Sequence, residues 1–184
     1  MDGKLVRLRG YEMSDLDTVT KWLNDEEVTQ FLGSGLLSYP VSSIAERKFI
    51  EQFGLSESST EKTFAVETLA DGRLIGTLGL HGIDWINRHS ALGIIIGDRQ
   101  YWGRGYGTDA MLVLMRLAFD KLNLHRLWLH VYDFKTRAIA SYQKCGFRRE
   151  GVLREQRLFG RKYHDTVVMG ILEAEYHALG EAKA

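Results

Sequence analysis

One stretch constrains this chain more than any other: Gln100-Tyr101-Trp102-Gly103-Arg104-Gly105-Tyr106-Gly107-Thr108. Ahead of it stands the apolar run LGIIIG at residues 92–97. Behind it comes TDAMLVLMRLAFDKL, in which Asp109, Arg116, Asp120 and Lys121 interrupt an apolar surface at helical spacing. A strand, a glycine-rich turn and a helix are therefore expected in succession. Glycine permits positive φ and lets the backbone approach a ligand with no Cβ in the way. The first amides of a helix lack intrahelical acceptors and sit at the positive end of its dipole, so such a turn suits a phosphate. Arg104 can add a charge-assisted contact to the same phosphates. The sharp reading is a ligand bearing a polyphosphate; the plain one is a tight strand–helix turn that holds nothing.

The rest of the chain narrows the classes. Its 184 residues suit one domain, read as residues 1–175 with a tail at 176–184. The 24 Lys+Arg balance the 24 Asp+Glu, which argues against a uniformly basic nucleic-acid-binding surface. The balance hides an asymmetry, because residues 1–92 carry net −5 and residues 93–184 net +5. Cys145 is the only cysteine, which excludes an intrachain disulfide and a cysteine-cluster metal site, and no histidine spacing suggests zinc, so no metal is expected. No apolar run approaches the roughly 20 residues of a membrane span, and no signal-like stretch opens the chain. A cytoplasmic location without membrane or nucleic-acid partners is the expectation.

Periodicity supplies the organisation. Residues 5–9 alternate as a strand, and Ser14 with Asp17 marks a helix start. Ser42 or Ser43 caps a second helix running to residue 53. Residues 64–69, 74–83 and 91–96 read as an antiparallel meander, with an Asp-Gly turn at residues 71–72. After the glycine turn and its helix, residues 125–132 alternate as a strand. Residues 136–145 read as a helix stopped by Gly146, and two strands joined by RLFGRK follow. The sum is a mixed α/β protein with a largely antiparallel sheet and one strand–helix–strand crossover.

Three kinds of phosphate site compete for the glycine turn. A P-loop needs GxxxxGK[ST], which is absent. A dinucleotide fingerprint needs a third glycine where Thr108 stands, although Asp133 could serve as a ribose acid, and a single crossover after a meander suits that fold poorly. The third option fits. Gln100-Tyr-Trp-Gly103-Arg-Gly105 between a strand and a helix resembles the acyl-CoA signature Q/R-x-x-G-x-G/A of the GNAT superfamily of N-acetyltransferases. The likeness extends along LVRLRGYEMSDLDTVTKWLNDEEV, RLIGTLGLHGIDWINRHSALGI, RAIASYQKCGFRREGVLRE and GRKYHDTVVMGIL, the last two being similar to the RimJ/RimL-type branch.

That resemblance implies a GNAT fold of class α/β (α+β), with a mostly antiparallel sheet of about seven strands, about four flanking helices and a splayed strand pair that takes acyl-CoA. It implies an acetyl-CoA cosubstrate whose pantetheine amides pair with the backbones of Ile94, Ile95 and Ile96. It also implies a pyrophosphate on the turn of Gln100, Gly103, Arg104, Gly105, Tyr106, Gly107 and Thr108. Tyr142 falls where the family places a tyrosine that protonates the departing thiolate, a role open to a phenol that stays neutral at pH 7; the other reading is a packed core tyrosine. Ser141 is a weaker candidate. Relatives often carry an asparagine where Lys135 stands, so Lys135 either meets a CoA phosphate or lies exposed.

The general base has no obvious carrier, because Ala91 occupies the strand position where branch members often hold a glutamate. His81 and Asp84 are the replacements considered, imidazole being the side chain that changes charge near neutral pH. The acceptor is a primary amine: a protein N-terminus, a polyamine or an antibiotic-like amine. Its groove is expected at residues 33–43 and around 158–163, within a net-acidic mouth that draws a cation. A homodimer stays open. The competing readings are a CoA-sensing or protein-binding module without turnover and, further off, a dinucleotide-dependent oxidoreductase.

Overall fold

The computed structural model of the chain describes residues 1–30, 32, 40–51 and 60–181. One seven-stranded sheet is built from β1 (Val6–Arg9), β2 (Lys62–Thr68), β3 (Leu74–Asp84), β4 (His89–Ile96), β5 (Arg126–Tyr132), β6 (Arg148–Phe159) and β7 (Lys162–Leu172), in the order β1-β2-β3-β4-β5-β7-β6. Every pairing is antiparallel except β4 with β5, where the chain crosses over the sheet through α4 (Tyr106–Arg116). The other helices among the described residues are α1 (Leu16–Leu23), α2 (Glu26–Thr29), α3 (Ser43–Phe49), α5 (Thr136–Lys144) and α6 (Glu173–Glu181). The second helix starts where expected, Ser42 accepting from the Ala45 amide at 3.2 Å; its expected end at residue 53 lies outside the described residues.

Period-two alternation gives the sheet two unlike faces. On the first, Leu78, Leu80, Leu92, Leu127, Leu129, Val131, Val167 and Met169 form the main core with Ala110, Met111, Leu114 and Met115 of α4. On the second, Tyr11, Val19, Trp22 and Ile50 make a smaller core against Leu74 and Ile95. That second cover belongs to the β1–β4 half of the sheet.

Two charged devices fix these layers. Asp109, in the first turn of α4 and buried, accepts from the amides of Lys4, Leu5 and Val6 at 3.1, 2.7 and 3.1 Å, so an apparent surface acid bolts α4 to β1. Arg9 makes a bidentate pair with the buried Asp15 at 2.8 Å and a further bond to Glu67 at 2.8 Å, which sets α1 against β1 and β2.

The structure amends three boundaries. About four flanking helices were expected and six stand among the described residues: α2 is a single turn capped by Asp25, and α6 forms within the last stretch, read as weakly ordered or helical. Tyr176 and Leu179 of α6 pack on the main core, and Tyr176 stacks on Phe119 at 4.8 Å, so the boundary drawn at residue 175 falls inside a docked helix. Apolar residues three apart are too few there to reveal that contact from sequence. The RLFGRK turn shortens to Gly160 and Arg161, both at positive φ, because Phe159 still pairs with Lys162.

Asp109→Ala strands three buried amide donors and should lower stability by about 2–4 kcal/mol in chemical denaturation. A loss below about 0.5 kcal/mol, the range of ordinary surface substitutions, would contradict this role.

Candidate active site

The site grows out of a sheet that opens. β4 pairs with β5 only at His89–Arg126, Ser90–Leu127 and Ala91–Trp128, although both strands continue for several residues. Beyond Ala91, β4 stays with β3 and β5 stays with β7, leaving a wedge between them. The register decides which groups face it. The Gly97 amide donates to the Ile75 carbonyl at 2.9 Å, so odd-numbered residues of β4 bond to β3. Ile94 and Ile96 therefore turn their backbone groups into the wedge. Ile95 does not: its amide and carbonyl belong to Thr77, which corrects the expectation that all three isoleucines line the cofactor's path. The Ile96 carbonyl already accepts from the Trp102 indole at 2.6 Å.

At the open end of the wedge lies the glycine turn. Asp98 caps a short turn by accepting from the Gln100 amide at 3.0 Å, and Gly103 and Gly105 then adopt φ of 70° and 88°. Such angles favour glycine, and they aim the chain into α4. The first helical bond runs from the Asp109 amide to the Gly105 carbonyl at 2.9 Å, so the amides of Tyr106, Gly107 and Thr108 precede any intrahelical acceptor. Gly107 sits directly on β4, where an added Cβ would meet Ile96 at 3.5 Å and Ile94 at 3.8 Å. Arg104 is exposed and returns a bond to the Gln100 carbonyl at 3.2 Å. A wedge of open strand backbone leading to free amides at a helix N-terminus fits a long amide-bearing arm that ends in a pyrophosphate.

α5 closes the first face of this site. Thr108 and Ser141 share a hydroxyl bond of 2.8 Å, and Arg137 lies over the Trp102 ring at 6.0 Å. Ser141 therefore holds α5 to the start of α4. Tyr142, the next residue, packs on the main core and against Phe147 at 6.2 Å. Burial first, and Cys145 second, push its phenol up to about 12, so it keeps its proton throughout the physiological range.

The second face carries different chemistry. His81 stands 2.7 Å through Nδ1 from Glu61, whose other oxygen accepts from the Gly82 amide at 3.0 Å. Its ring lies across the cross-strand pair Gly79 and Gly93: a Cβ on Gly93 would stand 3.1 Å from Nε2, and one on Gly79 3.4 Å from Cε1. Two glycines thus make a notch that lets Nε2 reach over β4 where the wedge begins. Asp84 is placed elsewhere. Its carboxylate accepts from the Ile86 amide at 2.9 Å and from both nitrogens of Asn87 at 2.8 and 2.7 Å, which holds its pKa low and commits it to the hairpin turn. It pairs with His89 at the closed end of the strand pair.

On the same face, over the β5–β7–β6 half, lies a cavity of about 410 Å³ lined, among the described residues, by His130, Tyr132, Lys135, Gln156, Arg157 and Thr166. Lys135 is not an exposed lysine. Its Nζ sits 4.9 Å from the Tyr132 ring, and burial first and Arg157 second lower its pKa to about 8. Two cations line this cavity, which is a different set of residues from the acidic groove expected at 33–43 and 158–163. Residues 33–39 of the expected groove lie outside the described residues.

A sheet split beside a helix N-terminus, with Tyr142 packed on one face and the Glu61–His81 pair on the other, fits an acyl-CoA-dependent transferase. The model of the acetyltransferase (GNAT) domain matches residues 6–148, and the chain belongs to that family. It is 29% identical over 169 residues to a spermidine N(1)-acetyltransferase of Vibrio cholerae, covering 92% of this chain and 94% of that protein. Against the spermidine N(1)-acetyltransferase of Escherichia coli it is 30% identical over 173 residues, covering 94% and 89%. A putative ribosomal N-acetyltransferase of Bacillus subtilis is 33% identical over 110 residues, covering 59% and 58%. The crystal structure of the Vibrio cholerae spermidine enzyme with CoA and spermine aligns at a TM-score of 0.83 and 28% identity, covering 94% of this chain and 98% of that one. The protein is an acetyl-CoA-dependent N-acetyltransferase of amines, with the GNAT fold.

Sequence reasoning missed Glu61, the glycine notch, Trp102 and Arg157. Only the glycines left a local trace, at positions 79 and 93 inside strands that otherwise favour side chains.

The folded state holds Lys135 at a pKa below that of the unfolded chain, so its protonated form is penalised below about pH 8. Stability then rises with pH until the unfolded lysine also loses its proton, near 10.5. Lys135→Met should raise Tm at pH 7, and the gain should shrink between pH 8 and 10.5; an equal or growing gain across that window would contradict the buried cation.

Proposed function

We propose that the protein acetylates a primary amine presented to the second face of the wedge, with His81 as base and Tyr142 as acid on opposite sides of the sheet. The observation that carries this reading is the parting of β4 and β5 after Ala91, with the His81 notch over one face and the α5 tyrosine packed on the other. Acetyl-CoA supplies the activated acetyl thioester; the backbone of Ile94 and Ile96, the amides of Arg104–Thr108 and the Arg104 guanidinium hold it. Gln100 and Gly103 belong to the same turn and complete the cradle.

Each residue has one task. Glu61 accepts the Nδ1–H of His81 and so leaves Nε2 as the proton acceptor. His81 removes the proton that the amine sheds as its nitrogen bonds to the carbonyl carbon. The Ile94 amide faces the oxygen that gains charge. Tyr142 gives its proton to the sulfur as the carbon–sulfur bond breaks. This pair supplies what Ala91 cannot, a base beside the missing strand glutamate. Small amines and peptide N-termini of the kind handled by RimJ/RimL-type enzymes are both within reach of the open second face.

Tyr142→Phe should lower kcat by about 100-fold or more with little change in acetyl-CoA affinity. The wild-type kcat should show no falling limb up to about pH 10, because the phenol loses its proton near 12. Steady-state thiol release checks both, and an unchanged kcat in the Phe variant would sink the assignment. His81→Gln should cost at least tenfold and Glu61→Gln less, since Glu61 orients without touching the amine.

A further inference from the structure

Thr108 belongs to two structures at once. Its amide is the last of the run from Tyr106 that precedes the first intrahelical bond of α4, made by Asp109 to Gly105. Its hydroxyl shares a 2.8 Å bond with the Ser141 hydroxyl, and its carbonyl accepts from the Cys145 thiol at 3.8 Å. Ser141 and the C-cap residue Cys145 stand one helical step of i to i+4 apart, so they share one side of α5. Thr108 therefore holds a whole turn of α5 rather than a single point on it.

Tyr142 lies within that turn. Its carbonyl accepts from the amides of Cys145 and Phe147, both at 3.0 Å, and the Cys145 amide also reaches the Ser141 carbonyl at 3.2 Å. Its ring packs on the main core and against Phe147. The phenol is thus carried by the same backbone that the two contacts of Thr108 fix, and it leaves the helix about 100° round from Ser141. A close-packed interior passes displacement on instead of absorbing it. A shift of Thr108 is accordingly felt at Tyr142.

We propose that Ser141 is a positioning residue: through Thr108 it relays occupation of the pyrophosphate cradle to Tyr142, so that the phosphates of acetyl-CoA speed loss of the thiolate as well as hold the cosubstrate. The inference rests on the reading of Tyr142 as the acid, and it adds where part of the phosphate binding energy goes. Binding energy from a remote part of a substrate raises kcat only when it is realised at the transition state. Here a phosphate drawn onto the Thr108 amide fixes Thr108, the hydroxyl bond fixes Ser141, and the next residue is set against the sulfur. Misplacement by about 1 Å costs about 100-fold in such a position.

The test compares acetyl-CoA with S-acetylpantetheine, the same thioester without the pyrophosphate, by thiol release with one accepted amine. Wild-type kcat should be at least tenfold higher with acetyl-CoA. Ser141→Ala and Thr108→Val each remove the hydroxyl bond and keep the Thr108-position amide, and each should shrink that ratio at least threefold. CoA affinity should change less than threefold in Ser141→Ala. Thr108→Ser restores a hydroxyl and should restore the ratio, and Ser141→Ala should cost nothing further in a Tyr142→Phe background. Equal losses with both donors, a loss confined to CoA affinity, or a Thr108→Ser variant that behaves like Thr108→Val would each show a merely structural bond and overturn the proposal. Should Tyr142→Phe leave kcat unchanged, or no amine be acetylated, the acid or transfer reading fails by itself, and NMR still judges the relay. Saturating ADP should shift the ring resonances of Tyr142, and Ser141→Ala should abolish that shift at equal ADP occupancy; a shift that survives the substitution, or none in the wild type, overturns the proposal.

Discussion

β4 and β5 leave one another after three paired positions, and the rest of the molecule is arranged around that parting. A parallel pair that stayed zipped would consume the backbone groups of Ile94 and Ile96 and close the sheet. Instead β4 remains with β3 and β5 with β7, so each strand is supported on its outer side while the inner edges stay apart. The supports include packing and backbone bonds. Trp22 lies so close to Gly97 that a Cβ there would run into its ring, and Trp102 bonds the Ile96 carbonyl. The same tryptophans join the small core on the second face, so the end of β4 is fixed on that side as well as by α4 on the other.

The parting also separates the chemistry. A sheet is an opaque barrier to side chains, which point to one face or the other. Through an opened strand pair, groups on both faces can reach one bond. Tyr142 belongs to the dry face, where burial keeps its phenol protonated, and His81 belongs to the other face, over the glycine notch. In the proposed reaction, proton removal by His81 and proton donation by Tyr142 take place in environments of different polarity, without either group having to serve both.

How far the sequence discloses this depends on the range of the forces involved. The glycine turn, the helix behind it and the single crossover are local patterns of spacing and chain reversal, and the structure shows them where the residues indicate. Tyr142 could be placed by resemblance alone, since a tyrosine on an apolar helix face reads equally as core. What stayed hidden depends on register and on distant partners. Whether Ile95 faces the wedge or β3 turns on a parity set by Gly97 and Ile75. Lys135 looked exposed because the Tyr132 ring beside it and the Arg157 charge that acts on it meet only in the fold, the latter more than twenty positions away on another strand. Glu61 became visible only once β2 and β3 were paired, and Asp84 lost its candidacy once the turn drew three donors to it.

The central claim is that the opened edge of β4 and the start of α4 form one continuous cradle for acetyl-CoA. Amide hydrogen exchange by NMR, with and without saturating CoA, tests it directly. The account predicts slowed exchange at Ile94 and at the amides of Arg104 through Thr108, with Ile95 little changed because its amide is already bonded to β3. Unaltered exchange at Ile94 and across the turn, with protection appearing elsewhere in the sheet, would contradict it.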